Sequence, residues 1–179
     1  WIVGFLVFTG GPLLFSIIIS FCRFDILNPA VWIGIDNYRF MFLKDELFWA
    51  ERGQGAYVNS RQLRISRKED LTESLFATGL PFKGRADQST TMAEVEKVAF
   101  ASAGVRRFGS AALDLAYVAA GRYDGYWERG LAAWDIAAGA LIVNEAGGRV
   151  TDLNGGEKIV SDRSIIVAGP MIYDRFFNL

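Results

Sequence analysis

The stretch that decides the fold is GSAALDLAYVAAGRYDGYWERGLAAWDIAAGALIVNEAGG, residues 109–148. Two alanine-rich apolar segments flank a short aromatic segment, RYDGYWE, which reads as a strand. We predict a first helix from Ser110 to Ala120, with Ser110 as N-cap and Gly121 as the stop. A second helix is predicted from Ala133 to Ala146, closed by two glycines. A helix, a strand and a helix in this order indicate layered α/β packing.

The same alternation extends outward from this stretch. Upstream, residues 46–66 predict two or three short strands, with turns at Gly53–Gly55 and at Asn59–Ser60. SLFATGL predicts another strand, and residues 90–102 have apolar side chains at helical spacing. Downstream, GRVTDL and SIIVAG predict the last strands, and a terminal helix is expected from Pro170. The fold class predicted from these patterns is α/β.

Composition excludes several kinds of chemistry. The chain has 179 residues, a net charge of −1, one cysteine and no histidine. A net charge so close to zero favours neither nucleic acid nor an anionic membrane. Without histidine there is no Ser-His-Asp triad and no imidazole metal ligand. Hydrolytic chemistry would therefore depend on carboxylates, hydroxyls, backbone amides and a hard metal ion.

The first 22 residues, Trp1 to Cys22, contain no charged side chain. As a helix they would span about 33 Å, enough to cross a bilayer core of about 30 Å. We expect a transmembrane helix here, with a buried core helix and a signal peptide as the alternatives.

Three features between Gly104 and Gly148 could carry chemistry. Gly109 and Ser110 open a helix, where backbone N–H groups can bind an anion, although the pattern alone favours plain capping. Glu128 ends a strand and could accept hydrogen bonds from a sugar-like ligand, or pair with a neighbouring arginine. Asp135 lies in the first turn of a helix, where the dipole favours a carboxylate whether or not it binds a metal.

Taken together, these residues resemble the C-terminal signature of the inositol monophosphatase family. The resemblance rests on WDIAAGALIVNEAGG, preceded by GSAALDLAYVAAGRYDGYWERG, with DELFWAERGQGAYVN and ATGLPF upstream in the family's order. It covers about residues 45–178. It implies the C-terminal part of the layered αβαβα sugar-phosphatase fold, a cytoplasmic enzyme and, at the level of the family, a homodimer.

The resemblance also implies roles for individual residues. Family members hydrolyse phosphate monoesters of inositol and related small molecules with Mg²⁺. Asp135 would be the catalytic carboxylate that ligates the metal, and Glu128 would hydrogen-bond a substrate hydroxyl. The alcohol side of the substrate would lie against Gly109, Ser110 and Ala111.

The chain departs from the family in its first part. The family's Glu-Glu metal motif and its D-P-[ILV]-D-G-T motif do not occur in this sequence. Mg²⁺ requires several oxygen ligands, and Asp135 alone cannot hold a Mg²⁺ cluster. We therefore expect little or no activity from this chain by itself.

The N-terminal segment resembles a different family. SFCRFDILNPAVWIGIDNYRFMF, residues 20–42, is similar to the stretch after the first membrane helix of binding-protein-dependent sugar ABC transporter permeases. This resemblance implies a chimera, with a permease-like domain at residues 1–44, membrane-associated if its helix inserts, and a phosphatase-like domain at 45–179. The alternatives are a fragment of a transport protein and a folding remnant without catalysis.

Overall fold

The computed structural model describes residues 9–25, 28–36, 45–81 and 88–179. The chain divides into two compact units, Trp1–Glu46 and Leu47–Leu179. The assignment of residues 1–44 and 45–179 to two different domains stays a prediction.

The first unit contains a short helix and a hairpin. Helix α1 spans Gly11–Ser20, and the antiparallel strands β1 (Cys22–Asp25) and β2 (Asn28–Trp32) follow it. At about 1.5 Å per residue α1 is about 15 Å long, half of what a bilayer core requires. Among the described residues no helix is long and apolar enough to cross a membrane. The transmembrane helix predicted for Trp1–Cys22 therefore finds no support in the described residues. The described α-helix ends at Ser20, and a strand begins at Cys22. Residues 1–8 of the predicted span lie outside the described part.

The second unit begins with a three-stranded antiparallel meander. Its strands are β3 (Phe48–Glu51), β4 (Gly55–Val58) and β5 (Arg61–Gln62). Asn59 takes a left-handed conformation with φ of 53°, as the second turn requires. The strands predicted for residues 46–66 and both of their turns are confirmed.

A five-stranded mixed sheet forms the centre of this unit. Its order is β7-β6-β8-β10-β9, with β6 parallel to both of its neighbours and β10 antiparallel to β8 and β9. The strands are β6 (Leu75–Thr78), β7 (Gly104–Arg106), β8 (Gly125–Arg129), β9 (Arg149–Thr151) and β10 (Ser164–Ala168).

Helices cover both faces of the sheet. On one face α3 (Ala111–Ala119) and α4 (Ala133–Glu145) enclose an apolar core with Ile165 and Val167 of β10. On the other face α2 (Gln88–Ala101) and α5 (Tyr173–Phe177) pack around Phe76 and Trp127. The predicted layered α/β architecture is confirmed. The terminal helix begins at Tyr173, three residues after the predicted start.

Helices α3 and α4 approach each other closely. A Cβ added to Gly139 of α4 would lie 2.5 Å from Leu115 Cδ1 of α3, so only glycine permits this distance. The contact fixes the two helix N-termini relative to each other, and both of them reach the candidate site.

Candidate active site

Strands β6 and β8 end side by side at one edge of the sheet. Thr78 and Trp127 are partners in the parallel register, and the Thr78 hydroxyl donates a hydrogen bond to the Trp127 carbonyl at 2.6 Å. The residues that follow Thr78 and Trp127 in the sequence are Gly79 and Glu128. The register therefore places Glu128 beside the backbone of Gly79.

The carboxylate of Glu128 is confined on two sides. Tyr126 and Glu128 are two residues apart on one strand and so share a face. The fully buried Tyr126 donates a short hydrogen bond from its hydroxyl to Glu128 Oε2. A Cβ added to Gly79 would lie only 2.0 Å from Glu128 Oε1. Glycine at position 79 is thus what leaves room for the carboxylate.

The turn before α3 presents backbone to the same region. Gly109 has a φ of +93°, a conformation that favours glycine, and Ser110 is extended before the helix begins. Ser110 occupies the N-cap position as predicted, but its side chain makes no capping hydrogen bond. The first N–H groups of α3 therefore lack that internal acceptor and can bind an external one.

Asp135 lies in the first turn of α4. Its Oδ2 accepts a hydrogen bond from the Ala132 N–H at 2.9 Å, which is half of a capping box. In the part of the chain that the structure describes, no hydrogen bond engages Asp135 Oδ1. The cap holds the half-buried carboxylate by one oxygen, so the other can serve as a ligand.

These elements enclose one open cleft of about 400 Å³. All five residues predicted from the sequence line it: Gly109, Ser110, Ala111, Glu128 and Asp135. The cleft thus brings two carboxylates and a helix N-terminus together, an arrangement that can accept hydroxyl protons on one side and bind an anion on another.

The cleft also contains residues that sequence reasoning missed. Arg107 adds a positive charge, and Trp134, 84% exposed, adds an aromatic surface next to Asp135. Gly79 belongs to ATGLPF, a segment that was matched to the family without a role for its glycine. Arg107 lies two residues before Gly109 of the predicted Gly109–Ser110 turn, which is the signal that could have identified it.

The most unusual residue near the cleft is Asp114, in the first turn of α3. It is 1% exposed, and both of its carboxylate oxygens lack a hydrogen-bond partner within the described residues. Burial and then the negative charge of Glu128 raise the pKa of Asp114 to about 7. The nearby backbone N–H of Ser110 lowers the pKa of Asp114, although it does not reach hydrogen-bonding geometry. Its place in the apolar run AALDLAYVAA, next to the buried Leu115, was the available sequence signal.

The described residues do not by themselves provide a magnesium site. Nowhere in residues 9–25, 28–36, 45–81 and 88–179 do three or more potential ligands among Asp, Glu and Cys side chains form a cluster that could hold a metal ion. Mg²⁺ takes six oxygen ligands in near-octahedral geometry, whereas the carboxylates among the described cleft residues are Asp135 and Glu128, the latter already engaged by Tyr126. This donor set does not fit a bound Mg²⁺ cluster.

Comparison with known proteins identifies relatives over most of the chain. The sequence model of the inositol monophosphatase family matches residues 10–178. An inositol-1-monophosphatase of Mesorhizobium japonicum is 48% identical over 128 residues, which are 72% of this chain and 48% of the relative. Other relatives are named Nus factor SuhB, among them one from Pasteurella multocida. The chain spans about half the length of these curated relatives.

Solved structures show the same fold. The extragenic suppressor protein suhB of Bartonella henselae is 47% identical with a TM-score of 0.72, covering 76% of this chain and 53% of that one. SaIMPase-II with bound inositol monophosphate is 27% identical with a TM-score of 0.66, covering 76% and 52%. The predicted α/β fold agrees with both.

The permease resemblance of residues 1–44 finds no support in these comparisons. The family match begins at residue 10, inside the segment assigned to a permease, so the proposed chimeric join near residue 45 is not supported either. From residue 10 to residue 178, this chain belongs to the inositol monophosphatase family.

Proposed function

We propose that the chain forms the alcohol-binding side of a site that hydrolyses phosphate monoesters of inositol or a similar small polyol. The observation that carries the proposal is the cleft itself. Residues far apart in the sequence, Gly79, Gly109, Glu128 and Asp135, line a single cavity large enough for a sugar-sized ligand.

The chemistry of the cleft suits such a substrate. The Glu128 carboxylate is an acceptor for hydroxyl protons, and the start of α3 offers backbone N–H donors to oxygen atoms. Arg107 gives the cleft a positive charge that attracts a phosphate monoester. A similar solved structure contains inositol monophosphate and another contains 2'AMP, which supports a phosphorylated polyol or ribose as the ligand class.

Magnesium dependence is proposed for the complete site of the family, to which this chain would contribute Asp135 as one ligand. Bound metal ions in such phosphatases lower the pKa of water and neutralise charge on the phosphoryl group. Because the described residues do not form a metal site by themselves, we propose that this chain alone binds substrate without turning it over at an ordinary enzymatic rate. A homodimer and a cytoplasmic location remain family-level predictions, and no observation on the described residues favours the transport alternative.

The test is calorimetric titration of the full chain with myo-inositol 1-phosphate, with and without Mg²⁺, beside a phosphate-release assay. We expect measurable binding, a loss of about tenfold in E128Q, and no effect of D162N, which changes an exposed aspartate outside the cleft. Because the described residues do not form a metal site by themselves, Mg²⁺ should change ligand binding little, in the wild type and in Asp135→Asn alike. Absence of binding would refute the substrate class, and hydrolysis at an ordinary rate would refute the proposed inactivity.

A further inference from the structure

We propose that Tyr126 is a positioning residue for substrate recognition, which fixes the Glu128 carboxylate so that it selects ligands carrying a hydroxyl group. This inference rests on the proposed function, because it assigns Glu128 to the substrate hydroxyl. It adds a residue outside the cleft lining to the recognition of the polyol.

The first support is the geometry around Glu128. The Tyr126 hydroxyl donates to Oε2, and the Gly79 backbone lies against Oε1. A glutamate side chain has three rotatable bonds and loses rotamer entropy when it is fixed. Tyr126 and Gly79 fix it before the ligand arrives, so binding does not carry that cost.

The second support is that Tyr126 can act only as a donor. Its ring is fully buried in the core between the sheet and α3 and α4. Burial is the largest cause that raises the pKa of Tyr126, followed by the charge of Glu128 and the hydrogen bond to it. Asp114 and Asp135 raise it further from the two flanking helices. The phenol therefore keeps its proton at every physiological pH and always presents it to Glu128.

The third support is the rigidity of Tyr126 itself. β8 is an interior strand, with β6 parallel on one side and β10 antiparallel on the other, and Tyr126 pairs with Ala77 and Val167 in those registers. A side chain on an interior strand positions a neighbour more accurately than one on a loop. The hydroxyl thus serves as a fixed reference point for the carboxylate two residues further on.

The experiment compares two ligands in the wild-type chain and in five variants of it. Calorimetry measures binding of myo-inositol 1-phosphate and of cyclohexyl phosphate, which keeps the ring and the phosphate but has no ring hydroxyl. Tyr126→Phe removes only the phenolic oxygen. We expect it to weaken inositol 1-phosphate binding about tenfold while cyclohexyl phosphate binding stays unchanged. In the E128Q background Tyr126→Phe should have no further effect, because its action passes through Glu128.

A matched control is Tyr173→Phe. Tyr173 is 1% exposed and its hydroxyl forms a short hydrogen bond with Thr151, away from the cleft-lining residues. This control should lose a comparable buried hydrogen bond without changing the preference for inositol 1-phosphate. Gly79→Ala provides a second approach that leaves Tyr126 intact, since the added Cβ would displace the Glu128 carboxylate and should produce the same selective loss.

Equal loss of both ligands in Tyr126→Phe, no loss at all, or additive losses with E128Q would overturn the assignment. Failure of the proposed function gives a different result, in which the wild-type chain itself binds inositol 1-phosphate no better than cyclohexyl phosphate. In that case the role of Tyr126 falls as well, because there is no hydroxyl recognition for it to support.

Discussion

The start of α3 and the turn after β9 each bury one aspartate, and the two side chains are in opposite situations. Asp152, 2% exposed, accepts three backbone hydrogen bonds, from Asn154, Gly156 and Lys158, at 2.8–3.0 Å. Asp114 is buried to the same degree and accepts none within the described residues. A satisfied buried carboxylate organises a turn, whereas an unsatisfied one costs stability and needs another explanation.

The pKa values of the two residues move apart accordingly. The Gly156 N–H, aided by the N–H groups of Asn154 and Lys158, lowers the pKa of Asp152 against the effect of burial. Burial raises the pKa of Asp114 to about 7, with Glu128 adding to it. The costly carboxylate is the one whose charge interacts with the cleft, which is where proteins commonly retain groups that reduce stability.

The largest expected effect concerns Asp114 and pH. Because its folded pKa of about 7 exceeds its ordinary value of 3.8, the folded state binds more protons than the unfolded state between these values. Stability should therefore fall as pH rises from about 4 to about 7, by up to about 4 kcal/mol. Asp114→Asn should remove this slope, as measured by urea unfolding of both proteins from pH 4 to pH 8. A wild-type slope that persists in the variant would contradict the unsatisfied state of Asp114.

The next effect concerns Asp152. Asp152→Ala leaves three backbone N–H groups without their acceptor and should lower the free energy of unfolding by about 3 kcal/mol at pH 7. Since the pKa of Asp152 is lowered in the folded state, its contribution to the free energy of unfolding should be lost as pH falls through that folded-state pKa.

The control for Asp152 is Asp162→Ala in the same loop. Asp162 is exposed and accepts one side-chain hydrogen bond, from Asn154 Nδ2 at 3.2 Å. It should change stability by less than about 0.5 kcal/mol. Equal losses in the two variants would mean that Asp152 does not organise the turn.

The smallest effect links Glu128 to Asp114. Glu128→Gln removes the second cause of the raised pKa of Asp114 and leaves burial, the first, in place. The pH at which the stability curve levels off should therefore move down from about 7 without reaching 3.8. Asp114 can also be followed directly by carbon NMR of its carboxyl group in both proteins. An unchanged titration midpoint would show that the two carboxylates do not interact.

The sequence predicted those parts of the site that depend on neighbours in the chain. The helices after Gly109 and Ala132 and the strand ending near Glu128 follow from apolar patterning and glycine stops, and they account for all five predicted cleft residues. The confinement of Glu128 by Gly79 depends on the parallel register of β6 and β8, which local patterning does not specify. Tyr126 shares a face with Glu128 by alternation, but its burial and short hydrogen bond become visible only in the folded sheet.

The apolar N-terminal segment shows where pattern reasoning was insufficient. A run of 22 residues without charge predicts a membrane helix by length alone, yet the described helix ends at Ser20 and a hairpin follows. Two glycines and Pro12 lie within residues 10–12, where the described α-helix begins. Glycine and proline at such positions indicate where a helix begins, so a membrane span should be predicted from them as well as from hydropathy.

The central claim is that the cleft bounded by Gly79, the Gly109 turn, Glu128 and Asp135 binds a phosphorylated polyol. Backbone amide NMR of the isotope-labelled chain during titration with myo-inositol 1-phosphate tests it most directly. The account predicts that the largest chemical-shift changes fall on residues 79, 109–111 and 128–135, and that they saturate together. Changes concentrated on other parts of the chain, or none at millimolar ligand, would contradict it.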